Sequence, residues 1–379
     1  MAKVSQKALI LPGAGARGAY QVGVLKAIAS FLPKRASNPF SIISGTSAGA
    51  INAAVLASRA SRFHSAVSEM EHVWANFTTE QVYRADNWTM MKSSFHWLAA
   101  FFLGGLGVRN PESLLDNQPL RELLERNINF DHIGRSIKKG HINALAITAS
   151  AYSSSRSVTF FEGVESLASW DRVRRAGKSS KLGVEHLMAS SAVPFIFPPV
   201  MIGGEYFGDG AMRHRTPLSS AIRLGADRIL VIGVRDELPD PEPNAGTPAD
   251  SPSFGHLSGY ILDALFMDGL STDLEQLNQI NRMLERLDQD SRSSETQFRS
   301  LSTLIVLPKE DLRKVAARHV QELPKVLRLL LQGSGKAKKS DMRLVSYLLF
   351  ESGFTRELIS MGYHDAMEIE QDLRAFLFD

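Results

Sequence analysis

FSIISGTSAGAINAAVLAS, residues 40–58, is the stretch whose reading decides the fold of this chain. Residues 40–44 form a compact β-branched run, 45–49 a turn of small residues, and 50–58 an alanine-rich helical stretch. A strand that turns sharply into a helix around Gly45-Thr46-Ser47-Ala48-Gly49 is the context that gives a GxSxG string chemical meaning. A serine in such a turn sits in strained backbone, and the positions two before and two after it must be small for strand and helix to pass. Gly45 and Gly49 meet that requirement. The turn also sets Ser47 at a helix N-terminus, where amides and the macrodipole favour developing negative charge.

The same unit occurs upstream. Lys7–Leu11 reads as a short buried strand, Gly13-Ala14-Gly15-Ala16-Arg17-Gly18 as a loop, and residues 20–31 carry helical apolar spacing. Further strands are expected over 143–149, 157–161, 228–234 and 301–307, with helical stretches between several of them. Residues 200–202 and 205–207 flank Gly203-Gly204 as a two-residue hairpin that delivers Asp209. This alternation predicts an α/β fold, a three-layer α/β/α sandwich with a mainly parallel sheet, followed by a helical C-terminal extension. The expected division is a catalytic domain over 1–310 with its motif core at 8–217, and an extension over 311–379. Residues 236–256, rich in Pro, Asp and Ser, read as a flexible excursion, and 333–340 as a second linker.

Composition narrows the function classes. The chain has 379 residues, 44% of them apolar, enough for a large core. Its 43 Lys and Arg against 40 Asp and Glu leave +3, too little for a nucleic-acid footprint, so no nucleic-acid partner is expected. No acid precedes Glu69, whereas Lys3, Lys7, Arg17, Lys26, Lys34, Arg35, Arg59 and Arg62 do. That stretch reads as a solvated surface or as a face toward anionic lipid headgroups. The absence of cysteine removes disulfides, thiolate metal sites and a cysteine nucleophile. The N-terminus has no secretory apolar region, so cytoplasmic residence is expected, with peripheral membrane contact as an addition. Residues 95–108, with Trp97 and Phe101, are too few to span a bilayer and read as a lid, an interfacial anchor or a buried helix. No His, Asp or Glu cluster shows ligand spacing, so neither a metal nor an organic cofactor is expected.

The glycine loop has two readings. GxGxxG after a strand fits a dinucleotide site, but the acid that binds the ribose, about 20 residues on, is missing, and only Arg35 leaves an NADP variant open. The other reading is an oxyanion cradle of Gly13, Ala14, Gly15, Arg17 and Gly18, with backbone amides converging on one oxygen. Arg17 fixes that loop or adds positive potential, or else faces solvent. Asp209, between glycines, is either a turn cap or a base able to approach a serine hydroxyl. His186 and His214 are the alternative partners for a triad, though neither sits in a motif.

Four blocks in order then carry a resemblance: GAGARGAYQVGVL, GTSAGA, ASSAVPFIFPPV and Gly208-Asp209-Gly210-Ala211. They resemble the patatin-like phospholipase family, in a bacterial form, over residues 8 to about 217. The resemblance implies a Ser47/Asp209 dyad in place of a triad, with Gly210 and Ala211 completing the acid motif. It implies a serine lipid acyl hydrolase acting on phospholipid or another acyl ester. Acyl transfer or thioester cleavage at the same site is the alternative, and nucleotide binding at 13–18 a remoter one. Two positions depart from the family pattern. Ala14 stands in what is usually a glycine triplet and requires a φ below zero, and Arg215 stands where an asparagine often follows the acid.

Overall fold

The computed structural model describes residues 5–84, 113–214, 216–236, 254–286, 299–325, 327–328 and 342–379. Residues 95–108, most of the 236–256 excursion, the 333–340 linker and Arg215 lie outside the described residues.

Among the described residues ten strands form one mixed sheet in the order β10-β9-β1-β2-β3-β4-β6-β5, with β8 and its hairpin partner β7 attached to β3. The strands are β1 (Lys7–Leu11), β2 (Ile42–Thr46), β3 (Ala144–Ala151), β4 (Ser157–Gly163), β5 (Trp170–Arg172), β6 (Arg175–Ser179), β7 (Val200–Ile202), β8 (Glu205–Asp209), β9 (Arg228–Ile232) and β10 (Ser302–Val306). The five strands from β10 to β3 are mutually parallel, and antiparallel pairing begins at β3. Buried on both faces, these central strands read as continuous apolar runs, which is why the sequence exposes them. β5 and β6 escape that reading: WDR and RAGKS are polar segments at the sheet edge, half in water. The expected second strand starts two residues late and takes Gly45 and Thr46 into the ladder.

Helices α1 (Gly18–Phe31), α2 (Ala48–Ser58), α3 (Phe63–Ala75), α4 (Gln118–Asn127) and α5 (Asp131–Lys138) follow the first two strands. They are succeeded by α6 (Val184–Ser190), α7 (Leu218–Arg223), α8 (Phe254–Arg286) and α9 (Leu312–His319). The chain steps from β1 through β2 to β3 in one direction and from β8 back to β9 in the other. Right-handed crossovers between the parallel strands β1, β2 and β3 put α1 and α2 on one face, and α7 packs on β1 and β2.

The C-terminal helices α10 (Met342–Leu348), α11 (Ser352–Glu368) and α12 (Glu370–Phe378) share this core. α11 lies along α1 at a backbone-to-backbone crossing. A Cβ at Gly23 would come closer than 3.0 Å to the Ile359 carbonyl, and one at Gly362 equally close to that of Tyr20. Tyr20 Oη donates to Asp365 at 2.9 Å across the same seam. Among the described residues, no helix is long and apolar enough to cross a membrane.

The basic N-terminal stretch is neutralised only in part, since Lys34, Arg35 and Arg62 are exposed. Lys26 and Arg59 pair with Glu71 and Glu69 of α3, Arg17 is buried, and Lys7 donates to the Leu377 carbonyl.

Candidate active site

Register brings the two key side chains together. Thr46 ends β2 opposite Thr148, and Asp209, arriving on the antiparallel β8, pairs with Ala149, the next residue along β3. β2 and β8 therefore meet head-on against one strand, and the residue after Thr46 is Ser47. The hairpin expected at Gly203-Gly204 is the device that reverses the chain; both glycines have positive φ, 59° and 86°.

Ser47 has φ 54° and ψ −131°, a conformation costing on the order of 1–3 kcal/mol for a non-glycine residue. The packing around it over-determines that strain. A Cβ at Gly45 would fall closer than 3.0 Å to backbone of Gly49 and Ala50, and a Cβ at Gly49 would meet the carbonyls of Leu11 and Pro12. The Ser47 amide donates to Ser190 Oγ at 2.9 Å, and Ser190 donates onward to the Thr148 carbonyl at 2.6 Å. Ser190 lies within the ASSAVPFIFPPV block, whose string gave no role for any single residue.

Asp209 is 1% exposed. Its Oδ1 accepts from the Ala211 amide at 2.9 Å, while Oδ2 has no formed hydrogen-bond partner among the described residues. Burial pushes the carboxyl up to about 7, against the opposing pull of the Ser47 hydroxyl and the Ala211 amide. The hydroxyl is thus a close neighbour of Asp209 without a formed hydrogen bond, a looseness common before substrate arrives. Gly210 is required by space, since a Cβ there would strike the Thr148 carbonyl. The Gly210 carbonyl in turn accepts from Ser150 Oγ at 3.2 Å.

Neither histidine of the alternative triad engages these groups in the described structure. His186 Nδ1 accepts from the Gly183 amide at 3.1 Å, and its ring packs edge-on against Phe160. His214 Nδ1 is 3.3 Å from Thr46 Oγ1, and burial together with Arg175 pushes its pKa down to about 4, keeping the ring neutral at neutral pH.

The glycine loop passes directly behind the elbow, and its parts have different duties. Gly15 has φ +51°, and a Cβ there would run into the Tyr347 carbonyl. Ala14 has φ −145°, below zero as its methyl group requires. The amide of Arg17 bonds the Ala14 carbonyl, and that of Gly18 bonds those of Ala16 and Gly15. Among the described residues the amides of Gly13, Ala14 and Gly15 form no such bond. Of the five residues expected in the oxyanion cradle, Arg17 and Gly18 thus have their amides engaged within the loop, and Gly18 starts α1.

Arg17 is neither a solvent-facing side chain nor an open cation. It is 2% exposed, its Nε and Nη2 donate to Ser346 Oγ at 3.0 and 2.6 Å, and Nη1 donates to Tyr347 Oη at 3.2 Å. The guanidinium also lies 4.0 Å from the Tyr347 ring centroid. The loop is tied on its other side by Gln21, which donates to the Pro12 carbonyl at 3.0 Å, and by Asn52, which donates to the Gly18 carbonyl at 3.2 Å and accepts from Trp74. Tyr347→Ala removes the ring under the Arg17 guanidinium and the hydroxyl acceptor, while the backbone carbonyl behind Gly15 stays. The expected result is a loss of about 3–5 kcal/mol in denaturant unfolding, by analogy with other large aromatic truncations.

A pocket of about 1030 Å³, counted to its open mouth, is lined by Gly15 and Ser47 and is otherwise largely apolar. Ala48, Ile51, Asn52 and Val55 line it at helical spacing, so the pocket follows α2 away from the elbow. Trp74 and Phe77 stack at 5.0 Å and meet Phe350, so residues from the C-terminal part complete the wall. Among the described residues no cluster of His, Asp or Glu is arranged for a metal. Gly15 opens onto the serine pocket, a placement that favours the oxyanion reading of the loop over the dinucleotide one.

Strained serine elbow, loop amides, buried carboxyl and apolar pocket at the ends of the parallel strands define an α/β protein with a candidate site at a strand-to-helix elbow. Residues 9–222, more than half of the chain, match the patatin-like phospholipase family, and the chain belongs to that family of lipid acyl hydrolases. No curated protein matches it. Among solved structures, VipD from Legionella pneumophila is similar at 11% identity and a TM-score of 0.34, over 97% of this chain and 67% of that one. The type III effector protein ExoU is similar at 14% identity and a TM-score of 0.33, over 93% of this chain and 53% of that one. The chain thus spans about two thirds of the first and about half of the second.

Proposed function

We propose that this protein is a serine lipid acyl hydrolase, of phospholipase A, lysophospholipase or related type, that works through a Ser47/Asp209 dyad. The observation that carries the reading is the pairing of a strained serine with a buried carboxyl whose pKa sits about 7, a value suited to a base at neutral pH. Asp209 takes the Ser47 proton as Oγ attacks the ester carbonyl. The amides of Gly13, Ala14 and Gly15 hold the oxyanion, each such donor contributing about 3–4 kcal/mol to the transition state. Collapse expels the alcohol, which takes its proton from Asp209 and leaves an acyl-serine. Water then gives a proton to Asp209 and attacks the acyl carbon; fatty acid departs and Ser47 recovers its hydrogen. The acyl chain lies in the apolar pocket along α2. The chemistry needs no metal or organic cofactor.

A fluorophosphonate probe followed by peptide mapping tests the assignment. Labelling is expected at Ser47, and Ser47→Ala is expected to lose both label and turnover while unfolding as wild type does. Label on another serine would sink the proposal. Because the base acts ionised, kcat/KM for a soluble ester is expected to rise about tenfold per pH unit below about pH 7 and to level off above it. A rate that stays flat from pH 5 to 8 would remove Asp209 from the base role.

A further inference from the structure

We propose that the sheet edge around Asp209 docks on an anionic phospholipid bilayer, through the arginine-bearing tip of the β5–β6 hairpin and the apolar side chains of the β7–β8 hairpin. This surface goes beyond the catalytic reading and stands independently of it.

Register places the two hairpins on the site's own edge. Asp209 pairs with Ala149, Ala149 with Val158 and Val158 with Ala176. With strands about 4.8 Å apart, the first residues of β6 stand about 15 Å across the sheet from the carboxyl. The tip Arg172-Val173-Arg174-Arg175 is exposed, Val173 to 93%. On the other side β8 overshoots β3, because Phe207 already pairs with Ala151, the last residue of that strand. Its cross-strand pair Met201 and Tyr206 is 50% and 47% exposed, and Tyr152, whose amide bonds the Tyr206 carbonyl, is 42% exposed.

The charge of this edge is one-sided. Arg172, Arg174, Arg175 and Arg223 have no carboxylate within ion-pair distance among the described residues. Arg175 donates to the neutral Thr216 and Ser219 hydroxyls, and Arg156 pairs with Asp171. Glu205, a second acid of the edge, accepts from the Ser154 amide. Five arginines thus face Asp171, Glu205 and the part-buried Asp273, which lies near Arg175 and accepts from the Leu218 amide. Burial first, and then the nearness of Arg172 and Arg175, push the pKa of Arg223 below its ordinary value, as expected of cations held close together. A solvated surface has no use for that repulsion, whereas a layer of lipid phosphates relieves it, at about 1 kcal/mol per arginine near the surface. Tyrosine and methionine beside the cations suit the boundary between headgroup and acyl chain, where one end of a side chain is wet and the other apolar. Docked so, the edge faces the layer that holds the esters.

Sedimentation with vesicles of phosphatidylcholine, with and without phosphatidylglycerol, tests the proposal on the full chain. Wild type is expected to bind the anionic vesicles and to release them as salt is raised. Arg172→Glu with Arg174→Glu is expected to weaken that binding at least about 30-fold, two arginine contributions converted at 1.4 kcal/mol per tenfold. Both residues are exposed, so melting temperature is expected to stay at the wild-type value; if the double variant misfolds, Arg174→Gln serves, with about a fivefold loss. Met201→Asp is expected to weaken binding in turn. Absence of wild-type binding to anionic vesicles, or equal binding by the arginine variants, overturns the proposal. So does tighter binding of a single-stranded oligonucleotide than of the vesicles. None of these readouts depends on turnover, so a failure of the dyad leaves the test intact.

Discussion

Asp209→Asn is expected to lower kcat on the order of 10³-fold or more and, near pH 8, to raise the melting temperature. Both effects come from one carboxyl. Its ordinary pKa of 3.8 is pushed up to about 7 by burial, so the folded state favours the protonated form. Stability from this group is therefore fully present below about pH 4 and is lost as pH rises through about 7. Near pH 8 the wild type carries an ionised carboxylate with Oδ2 unpartnered, at a cost on the order of 4 kcal/mol, discounted by whatever solvent reaches the site. Asparagine keeps an oxygen for the Ala211 amide but has no charge to bury and no lone pair basic enough to take the serine proton. Melting curves of the two proteins at pH 4 and pH 8 check the argument. The gain in stability must appear at the higher pH and fade at the lower one. A variant less stable than wild type at both would show that the carboxyl is not buried at a cost, and with it would go the reason for its basicity.

That coupling also explains which parts of the site the sequence exposes. Gly45, Ser47 and Gly49 are legible because the constraint is local: a sharp strand-to-helix turn excludes a Cβ within two residues of the serine. Asp209 is legible as a turn residue, but its meeting with Ser47 depends on β8 running antiparallel to β3 and ending one register position past β2, which no local pattern records. The supports are least legible. Arg17 and Ser346 are 329 residues apart in sequence, and neither carries a motif that names the other. Ser190, Gln21 and Asn52 are ordinary polar residues in apolar surroundings, and only burial shows that each holds the loop or the elbow in place. The charge run before Glu69 is legible only in part for a related reason, since linear charge density says nothing of the partners that α3 brings to Lys26 and Arg59. The cationic edge at β5 and β6 is built instead from a short polar hairpin whose position depends on β4.

Gly49→Ala is the sharpest test of the elbow itself. An alanine Cβ there would lie closer than 3.0 Å to the carbonyls of Leu11 and Pro12, both backbone atoms. Leu11 cannot retreat easily, because β1 is held in register by β2 on one side and β9 on the other. Nor can α2 rise, since Asn52 ties it to the Gly18 carbonyl and to Gln21, and its residues from Ala50 to Ala54 are mostly fully buried. The added methyl therefore forces the helix away from the strand. Overpacking in a well-filled core costs about 1–3 kcal/mol, and a clash confined to backbone belongs at or beyond the upper end of that range. Ser47 moves with its helix, so turnover of a soluble ester is expected to fall by at least about 100-fold, as misplacement of a reacting group by about 1 Å does. Gly183→Ala provides the comparison: its φ of −152° suits any residue and nothing lies within 4 Å of the added carbon, so it is expected to unfold and react as wild type does. Denaturant titration and initial rates on the two variants separate the cases, and equal behaviour would mean that the close passage of helix over strand is not what holds the serine in its strained conformation.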